Sequence, residues 1–449
     1  MKSSRNIDML NGSIWDKIIL FALPLAASSI LQQLFNAADI AVVGQFSGST
    51  ALAAVGANSS IINLLVNLFV GLSVGANVVV ASFIGQNDEK RTSQAIHTSL
   101  FISIISGFVL LIIGQAFARP ILELVSTPKD IINLAELYLK IYFLGMPFIM
   151  LYNFTSAILR SKGDTKRPLI ALLVSGVVNV LLNLFFVVIC HMSVDGVASA
   201  TVISNIISSL LLLYFLMHES GAFQVCLKKI HIHKEILIKI AKIGIPAGLQ
   251  GVVFSISNVC IQTALNALGS DAVAASAAAL NYEFFAYFVV SAFSQAAVTF
   301  IGQNYAAKQY ERCQKITKSI FILGTISTLI ISFAFILCQE FCVSFFTTDI
   351  NVAKLAYIRI EIILTFEVLN MVIEILSGCL RGIGYSSIPA IICVIGICGI
   401  RVIYVYTIYP HFASFTSLMF IYPISWLITA LILVVVYYFI QKKAYQISL

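Results

Sequence analysis

Charge is scarce in this chain. Only 10% of its 449 residues are Asp, Glu, Lys or Arg, whereas about a quarter of the residues in ordinary soluble domains are charged. Hydrophobic residues make up 59% of the chain, and the mean hydropathy is +0.98. So few charged groups cannot cover the surface of a soluble protein of this length. The composition therefore excludes secreted disulfide scaffolds, nucleic-acid-binding proteins and cytosolic enzymes, and we expect no nucleic-acid partner.

Groups that would carry enzyme chemistry are also missing. The nine cysteines lie mostly inside apolar runs, and none has a paired metal-ligand spacing. The six histidines are scattered over helix ends and loops, without a nucleophile or a carboxylate pattern beside them. The sequence therefore predicts a protein that is not an enzyme and has no cofactor. No cleavable signal peptide is evident, because the first apolar run contains Pro24 and Asp39.

Long apolar runs are what the chain does contain. Each is about 20 residues or longer, enough to cross about 30 Å of hydrocarbon as a helix, and none alternates like the strands of a membrane barrel. We predict an all-α polytopic membrane protein with twelve transmembrane helices. They are expected at 14–44, 51–84, 92–118, 130–159, 168–190, 194–217, 236–267, 272–302, 313–338, 350–380, 388–409 and 414–440.

The basic residues concentrate on one side of the predicted membrane. Of the 27 Lys and Arg residues, 21 lie in one set of connections, which begins with Lys2 and Arg5. The alternate connections hold only Arg119, Lys129 and Lys354, and the predicted helices hold Lys140, Arg359 and Arg401. Connections rich in Lys and Arg stay in the cytoplasm. Both termini and the central loop are therefore predicted to face the cytoplasm, with the protein in the cell membrane.

The two halves of the chain share landmarks in the same order and at a nearly constant offset. The pairs are Pro24 with Pro246, Asn36 with Asn258, the Ile-Gly-Gln-Asn tetrapeptides at 84–87 and 301–304, Arg160 with Arg381, and Pro168 with Pro389. Six helices in each half mean that both halves enter the membrane from the same side. We predict an N-terminal six-helix lobe at 1–217, a cytoplasmic linker at 218–235 and a C-terminal six-helix lobe at 236–449. The lobes should be pseudo-symmetric bundles around a central cavity.

These landmarks resemble those of the multidrug and toxic compound extrusion (MATE) family over essentially the whole chain. The motifs that carry the resemblance are Pro24…Asn36-x-x-Asp39…Gly44, the Gly-Gln-Asn ends of the second and eighth helices, Arg160-x-x-Gly163-Asp164-Thr165, and Gly196…Ala200-Thr201…Ser204. Members of this family expel amphipathic, often cationic, drugs in exchange for inward H⁺ or Na⁺. The resemblance therefore implies a secondary active antiporter that works by alternating access.

Asp39 is the first candidate for the coupling group. It lies deep in the first predicted helix, several turns after the helix-distorting Pro24. A carboxylate there costs about 2.5–3.5 kcal/mol on insertion scales, and burial favours the protonated form of a carboxyl group. Asn36, one turn earlier, shares its helix face and is expected to hydrogen-bond it. The alternative is a carboxyl at the wall of a water-filled pore, without a coupling role.

Asn179, Asn183 and Thr201 join Asp39 through the resemblance, which places these positions in the family's N-lobe cation site. Asn179 and Asn183 are also i, i+4 neighbours on one helix face. Many relatives carry Asp where this chain has Asn183, so a single carboxylate remains, and this weakens the case for tight Na⁺ binding. We predict H⁺ as the coupling ion, with Na⁺ at Asp39, Asn179 and Asn183 as the alternative. The asparagines would otherwise serve only hydrogen bonding between helices.

The C-terminal half has intramembrane acids of its own. Exposure to lipid would be costly, so these acids are expected to face the cavity, where they would attract cationic substrates or take up a second proton. Aromatic rings near them would stack on a flat cationic drug. The predicted substrate site consists of Glu283, Glu367, Glu374, Asn153, Tyr282 and Tyr287. The alternative for the glutamates is neutralisation by hydrogen bonds between packed helices.

Two further positions refine this interpretation. Glu361 lies beside Arg359 in the sequence, and a local ion pair is expected there. Some relatives carry an acid in the seventh helix about two turns after its proline, where this chain has Phe254. A coupling mechanism centred on that acid is therefore not available to this chain.

Together these features predict the export of amphipathic, cationic drugs or toxic organic compounds in exchange for H⁺ or Na⁺. We expect a monomer whose partners are drug-like small molecules and the lipid bilayer. The alternative is a flippase for lipids or lipid-linked oligosaccharides from the same wider superfamily. It ranks second because only Lys140, Arg359 and Arg401 supply positive charge inside the predicted helices.

Overall fold

A computed structural model describes residues 7–125 and 127–445, with the backbone alone at Ser60. Lys2 and Arg5, which belong to the predicted cytoplasmic charges, lie outside the described residues, as does the end of the predicted C-terminal lobe beyond residue 445. Within the described ranges every regular element is a helix. The predicted all-α class is confirmed.

The N-terminal half of the described chain holds seven α-helices and one π-helical segment. They are α1 (Trp15–Phe46), α2 (Gly48–Gly85), α3 (Glu89–Leu124), α4 (Ile132–Leu144), α5 (Met146–Ser161), α6 (Lys166–Asn183) with its π-helical continuation Leu184–Ile189, and α7 (Val194–Met217).

The second half begins after two short 3₁₀ turns, Gly221–Phe223 and Leu227–Lys229. Its α-helices are α8 (Lys234–Asn266), α9 (Ser270–Ala306), α10 (Tyr310–Leu337), α11 (Gln339–Ser344), α12 (Ile350–Gly382), α13 (Ser387–Cys393), α14 (Ile400–Ile403) and α15 (Phe415–Ala444). The stretch from α13 to His411 runs on through the π-helical segments Val394–Gly399 and Tyr404–Ile408.

The membrane spans agree with the predicted number. Among the described residues, eleven helical runs are long and apolar enough to cross a membrane, and α4 with α5 passes the same test as a pair bent by 48°. Counted as one broken span, this pair makes twelve. The prediction of one helix at 130–159 is wrong in detail, because Pro147 opens α5 without an amide hydrogen. A Cβ on Gly107 of α3 would lie 2.4 Å from the Cα of Pro147, so α3 packs tightly against this break.

The chain divides into two compact units. Unit 1 holds Ile7 and Ala27–Gly248, and unit 2 holds Asp8–Ala26 and the chain from Leu249 onward. Helices α1 and α8 therefore each contribute residues to both units. The lobe boundaries drawn from the sequence at positions 217 and 236 stay a prediction.

Glycines bring two helices of unit 1 into backbone contact. A Cβ on Gly71 of α2 would lie 2.3 Å from the backbone nitrogen of Gly248, and one on Gly75 would lie 2.3 Å from the carbonyl oxygen of Ile240. Larger side chains would force α2 and the first part of α8 apart. Close approach through small residues is the usual way in which membrane helices gain packing energy.

The segment before α1 is fixed within unit 2. Arg312 of α10 donates from Nη1 to the carbonyl oxygen of Gly12 at 2.9 Å and from Nη2 to that of Asn11 at 3.1 Å. Asn304 of α9 donates to the carbonyl oxygen of Met9 at 3.0 Å. These bonds satisfy backbone acceptors outside any helix and hold the start of α1.

The predicted linker packs on unit 1. Glu219 accepts hydrogen bonds from Lys162 at 2.6 Å and from Arg167, and the Lys162 ammonium lies 4.8 Å from the ring centre of Phe223. Burial opposes the ionisation of Glu219, but the hydrogen bonds from Lys162 and Arg167 outweigh it and lower its pKa. The ionised carboxylate is therefore the form that holds the linker.

Removing this carboxylate should loosen the linker. In Glu219→Gln we expect trypsin to cut at Lys228 and Lys229 several-fold faster than in Glu235→Gln, a matched change at an exposed position. Because the pKa of Glu219 is lowered on folding, the contact is complete above an unfolded-state pKa of about 4.3 and is lost only in acid. The ratio of the two cleavage rates should therefore stay constant between about pH 6 and pH 8. Equal rates for the two variants would contradict the contact.

Candidate functional site

Four of the predicted coupling residues form one hydrogen-bonded group in unit 1. Asn183, the last residue of α6, donates from Nδ2 to Oδ1 of Asp39 on α1 and also to Oδ1 of Asn179 at 3.2 Å. The hydroxyl of Thr201 on α7 lies 3.4 Å from the other carboxyl oxygen, Oδ2. Three helices therefore converge on a single carboxyl group.

A glycine allows α1 to come this close to α6. A Cβ on Gly176 would lie 1.9 Å from Cε2 of Phe35, so the aromatic ring occupies the space that any other residue would fill. Phe35 precedes Asp39 by one helical turn, and Gly176 precedes Asn179 by about one turn. The contact between ring and backbone therefore sets the distance between the carboxyl group and the asparagines.

The helix changes its geometry at the site. Helix α6 ends at Asn183, and the wider π-helical turns of Leu184–Ile189 follow without interruption. Such turns are rare and occur frequently at functional sites. The change places Asn183 at the junction of the two geometries.

The surroundings of Asp39 are polar but uncharged. Among the described residues no Lys, Arg or His nitrogen lies within 4.0 Å of its carboxyl group. The asparagines are buried, and Oδ1 of Asn183 has no hydrogen-bond partner within the described ranges. The phenol groups of Tyr138 and Tyr142 on α4 lie close enough to interact electrostatically with Asp39. The spacing of these tyrosines along the sequence did not predict that they would lie near Asp39.

The predicted bond between Asn36 and Asp39 is wrong. Asn36 is exposed on α1 and forms no hydrogen bond to any described residue. Both carboxyl oxygens of Asp39 are turned to α6 and α7 instead. Two side chains on one helix face are neighbours, but Asp39 bonds to side chains on the adjacent helices instead.

Glu283, which was predicted to line the substrate site, forms an ion pair within unit 2. Arg359 of α12 donates from Nε to one carboxyl oxygen of Glu283 at 2.6 Å and from Nη2 to the other at 2.9 Å. The predicted ion pair between Arg359 and Glu361 is wrong, and Glu361 accepts from Gln339 at 2.8 Å. Residues two apart on a helix point to different sides. The bidentate geometry with Glu283 across two helices is the stronger arrangement.

The other substrate residues predicted in the second half have partners of different kinds. Glu367 is buried and accepts from Asn370 at 2.8 Å, one turn away on α12. Glu374 interacts electrostatically with Tyr287 and with Glu367. The phenol of Tyr282 donates to the carbonyl oxygen of Cys342 at 2.8 Å. Tyr282 is therefore tied to α11, whereas Tyr287 lies near the acid.

Asn153 belongs to unit 1 and bonds within its own helix. It donates to the carbonyl oxygen of Ile149 at 2.8 Å, one turn earlier on α5. Its place in a substrate site stays a prediction, as does that of the glutamates and tyrosines from the second half of the chain.

Comparison with known proteins decides the family. Residues 24–185 and 246–407 each match the family model described as MatE. The chain belongs to the MatE family. The two matched stretches start at Pro24 and Pro246, at the offset of the predicted repeat. The protein is thus a multi-pass membrane transporter and not an enzyme.

Similar proteins span the whole chain. The "Probable multidrug resistance protein YoeA" of Bacillus subtilis (strain 168) is 26% identical over 441 residues, which cover 96% of this chain and 95% of that protein. The "Multidrug export protein MepA" of Staphylococcus saprophyticus is 21% identical over 99% of this chain and 98% of its own length.

A solved structure has the same fold. It is described as the outward-facing conformation of a multidrug resistance MATE family transporter of the MOP superfamily. It is 21% identical, has a TM-score of 0.91, and the match covers 99% of this chain and 100% of that one.

The contact between Phe35 and Gly176 gives a packing test. Gly176→Ala should lower the melting temperature of the purified protein by several degrees, because overpacking costs about 1–3 kcal/mol. Adding Phe35→Leu should restore most of the loss by freeing space for the new methyl group. Gly56→Ala is the control, since its Cβ would meet no atom within 4 Å. Equal stability of Gly176→Ala and Gly56→Ala would show that α1 does not depend on this contact.

Proposed function

We propose that the protein exports amphipathic organic compounds, cationic drugs among them, from the cell in exchange for protons, and that Asp39 binds the coupling proton. One observation carries the proposal: a carboxyl group inside a membrane span is held by neutral amide and hydroxyl groups, with no cation of the described chain within ion-pair distance. Relatives named for multidrug resistance and multidrug export support the class of cargo. The charge distribution supports cytoplasmic termini, and the transporter acts as a monomer in the bilayer.

The hydrogen bonds around Asp39 suit both protonation states. The ionised carboxylate accepts from Nδ2 of Asn183 and from the Thr201 hydroxyl. The protonated carboxyl donates from Oδ2 to the Thr201 oxygen, whose own hydrogen turns to the carbonyl oxygen of Val197 at 2.9 Å. Neither state leaves a buried donor of this group without an acceptor. Proton binding therefore needs no rearrangement of the helices to be tolerated.

The two states differ in how strongly they hold the three helices. Hydrogen bonds to a charged group are about twice as strong as those between neutral groups. Protonation from the outer side weakens the bond from Asn183 and removes the negative charge that attracts a cation, so the cargo leaves. Deprotonation toward the cytoplasm restores the form that binds cargo. The membrane potential contributes about 2.3 kcal/mol per charge for each 100 mV.

The side-chain atoms that face Asp39 favour a proton over Na⁺ as the coupling ion. The nearest group to Asp39 is the nitrogen of Asn183, and Oδ1 of Asn179 is already engaged by that same nitrogen. A cation at this position would need the Asn183 amide to turn, so that its Oδ1, unpaired among the described residues, replaces the nitrogen that now faces Asp39. A single proton on the carboxyl group needs none of these changes.

Replacing the carboxyl group should abolish coupling. In membrane vesicles with an imposed pH gradient, Asp39→Asn should reduce efflux of a cationic dye to the level of empty vesicles, while Asp130→Asn, the same change at an exposed position, should leave it unaffected. Expression and melting temperature of the two variants serve as controls for folding. Undiminished efflux in Asp39→Asn would refute the role of Asp39. If a Na⁺ gradient alone drove dye efflux by the unmodified protein, H⁺ would not be the coupling ion.

Restoring a second carboxylate should change the ion. In Asn183→Asp two acids face each other in the buried site, which favours a bound cation of higher coordination. We expect a Na⁺ gradient to stimulate dye efflux in this variant at least about threefold over Asn183→Ser, the neutral control. The same Na⁺ response in both variants would mean that the number of carboxylates does not select the ion.

A further inference from the structure

An arginine lies buried in the middle of a span of unit 2. Arg401 belongs to the helical run Ser387–His411 and lies about three turns before its end, roughly 15 Å along the axis. Only 4% of the residue is exposed. Ionisable residues at such positions face the protein interior and mark the paths of substrates and ions.

The guanidinium group has more donors than the protein has acceptors for it. Nε donates to the hydroxyl of Ser425 at 3.2 Å, and Nη1 donates to Oδ1 of Asn258 at a distance of 3.5 Å. Nη2 forms no hydrogen bond to a described residue. Arginine carries five N–H donors, so the described residues leave three without an acceptor. Buried donors are rarely left in this state.

The positive charge of Arg401 is also uncompensated. Its carbon Cζ lies 4.4 Å from the ring centre of Tyr422, and Arg359 lies 5.5 Å from the same ring. Glu283 already neutralises Arg359 through two hydrogen bonds. Among the described residues no carboxylate lies within 4.0 Å of Arg401. Arg401, Arg359 and Glu283 together therefore carry one net positive charge inside the membrane span.

The two candidate sites, Asp39 in unit 1 and Arg401 in unit 2, are opposite in charge. The repeat that aligns Pro24 with Pro246 aligns Asp39 with Ile261, a buried apolar residue. Over the part of the chain that the structure describes, Asp39 of unit 1 thus has no cation within ion-pair distance, and Arg401 of unit 2 has no carboxylate within that distance. The site in unit 2 is not a second copy of the proton site, and its charge suits an anion.

We propose that Arg401 is the binding site for the anionic group of a transported compound, a carboxylate. A carboxylate would accept from the free edge of the guanidinium formed by Nη1 and Nη2, the usual geometry of such pairs. Compounds that carry a carboxylate as well as a positive charge therefore belong to the cargo. The transport of such compounds rests on the proposed function, but their binding does not.

Two dyes that differ in one group test the proposal. Rhodamine 110 has a free carboxylate, and rhodamine 123 is its methyl ester. Binding of each to the purified full-length protein is measured by fluorescence anisotropy. We expect Arg401→Gln to weaken the binding of rhodamine 110 relative to rhodamine 123 by about tenfold or more, the effect of losing a charged hydrogen bond. Arg401→Lys should lose less, and Lys354→Gln, which removes an exposed charge from the same unit, should leave the ratio unchanged.

Three results would overturn the proposal. They are an absence of saturable rhodamine 110 binding, an equal loss for both dyes in Arg401→Gln, and no loss for either dye in that variant. An equal loss would assign Arg401 to packing alone. The failure of the proposed function looks different: the unmodified protein would bind rhodamine 110 through Arg401 but export neither dye under a pH gradient.

Discussion

The cost of placing a charge among apolar helices governs the chemistry of this protein. A buried ion must be paired, made neutral or matched by a ligand, because water is not there to solvate it. The chain uses all three solutions. Glu283 and Arg359 form a bidentate pair, Asp39 is held in a way that suits its neutral form as well as its ionised form, and Arg401 keeps a charge that nothing in the described chain balances. The proposed proton and cargo sites follow from these three cases.

Packing between backbones supplies the geometry that the charges need. Gly176 lets the ring of Phe35 lie against α6, and Gly71 and Gly75 let α2 meet α8. These contacts join helices that lack a hydrophobic driving force toward one another, since the surrounding lipid is as apolar as they are. The position of Asp39 against Asn183 depends on this close approach. A single methyl group at Gly176 therefore tests a functional distance as well as a packing contact.

Class and span number were readable from the sequence, and so were the residues that meet at Asp39. Apolar runs fix the helices, and the family motifs name Asp39, Asn179, Asn183 and Thr201, which the structure brings together. What depends on contacts between helices was not readable. The partner of Arg359 lies across the α9–α12 interface, which the sequence does not show. The bond predicted for Asn36 considered only its own helix. Neither the bend between α4 and α5 nor the π-helical turns after Asn183 change the hydropathy of the chain.

The proposed mechanism rests on one carboxyl group, which exchanges a proton for the cargo. The most direct measurement is the proton released when a cationic compound binds to the purified transporter in weakly buffered solution near neutral pH. We expect binding to release a sizeable fraction of one proton, up to about one, for each compound bound. This release should disappear when Asp39 is replaced by Asn. Release that persists in that variant, or binding without any release in the unmodified protein, would contradict the proposed mechanism.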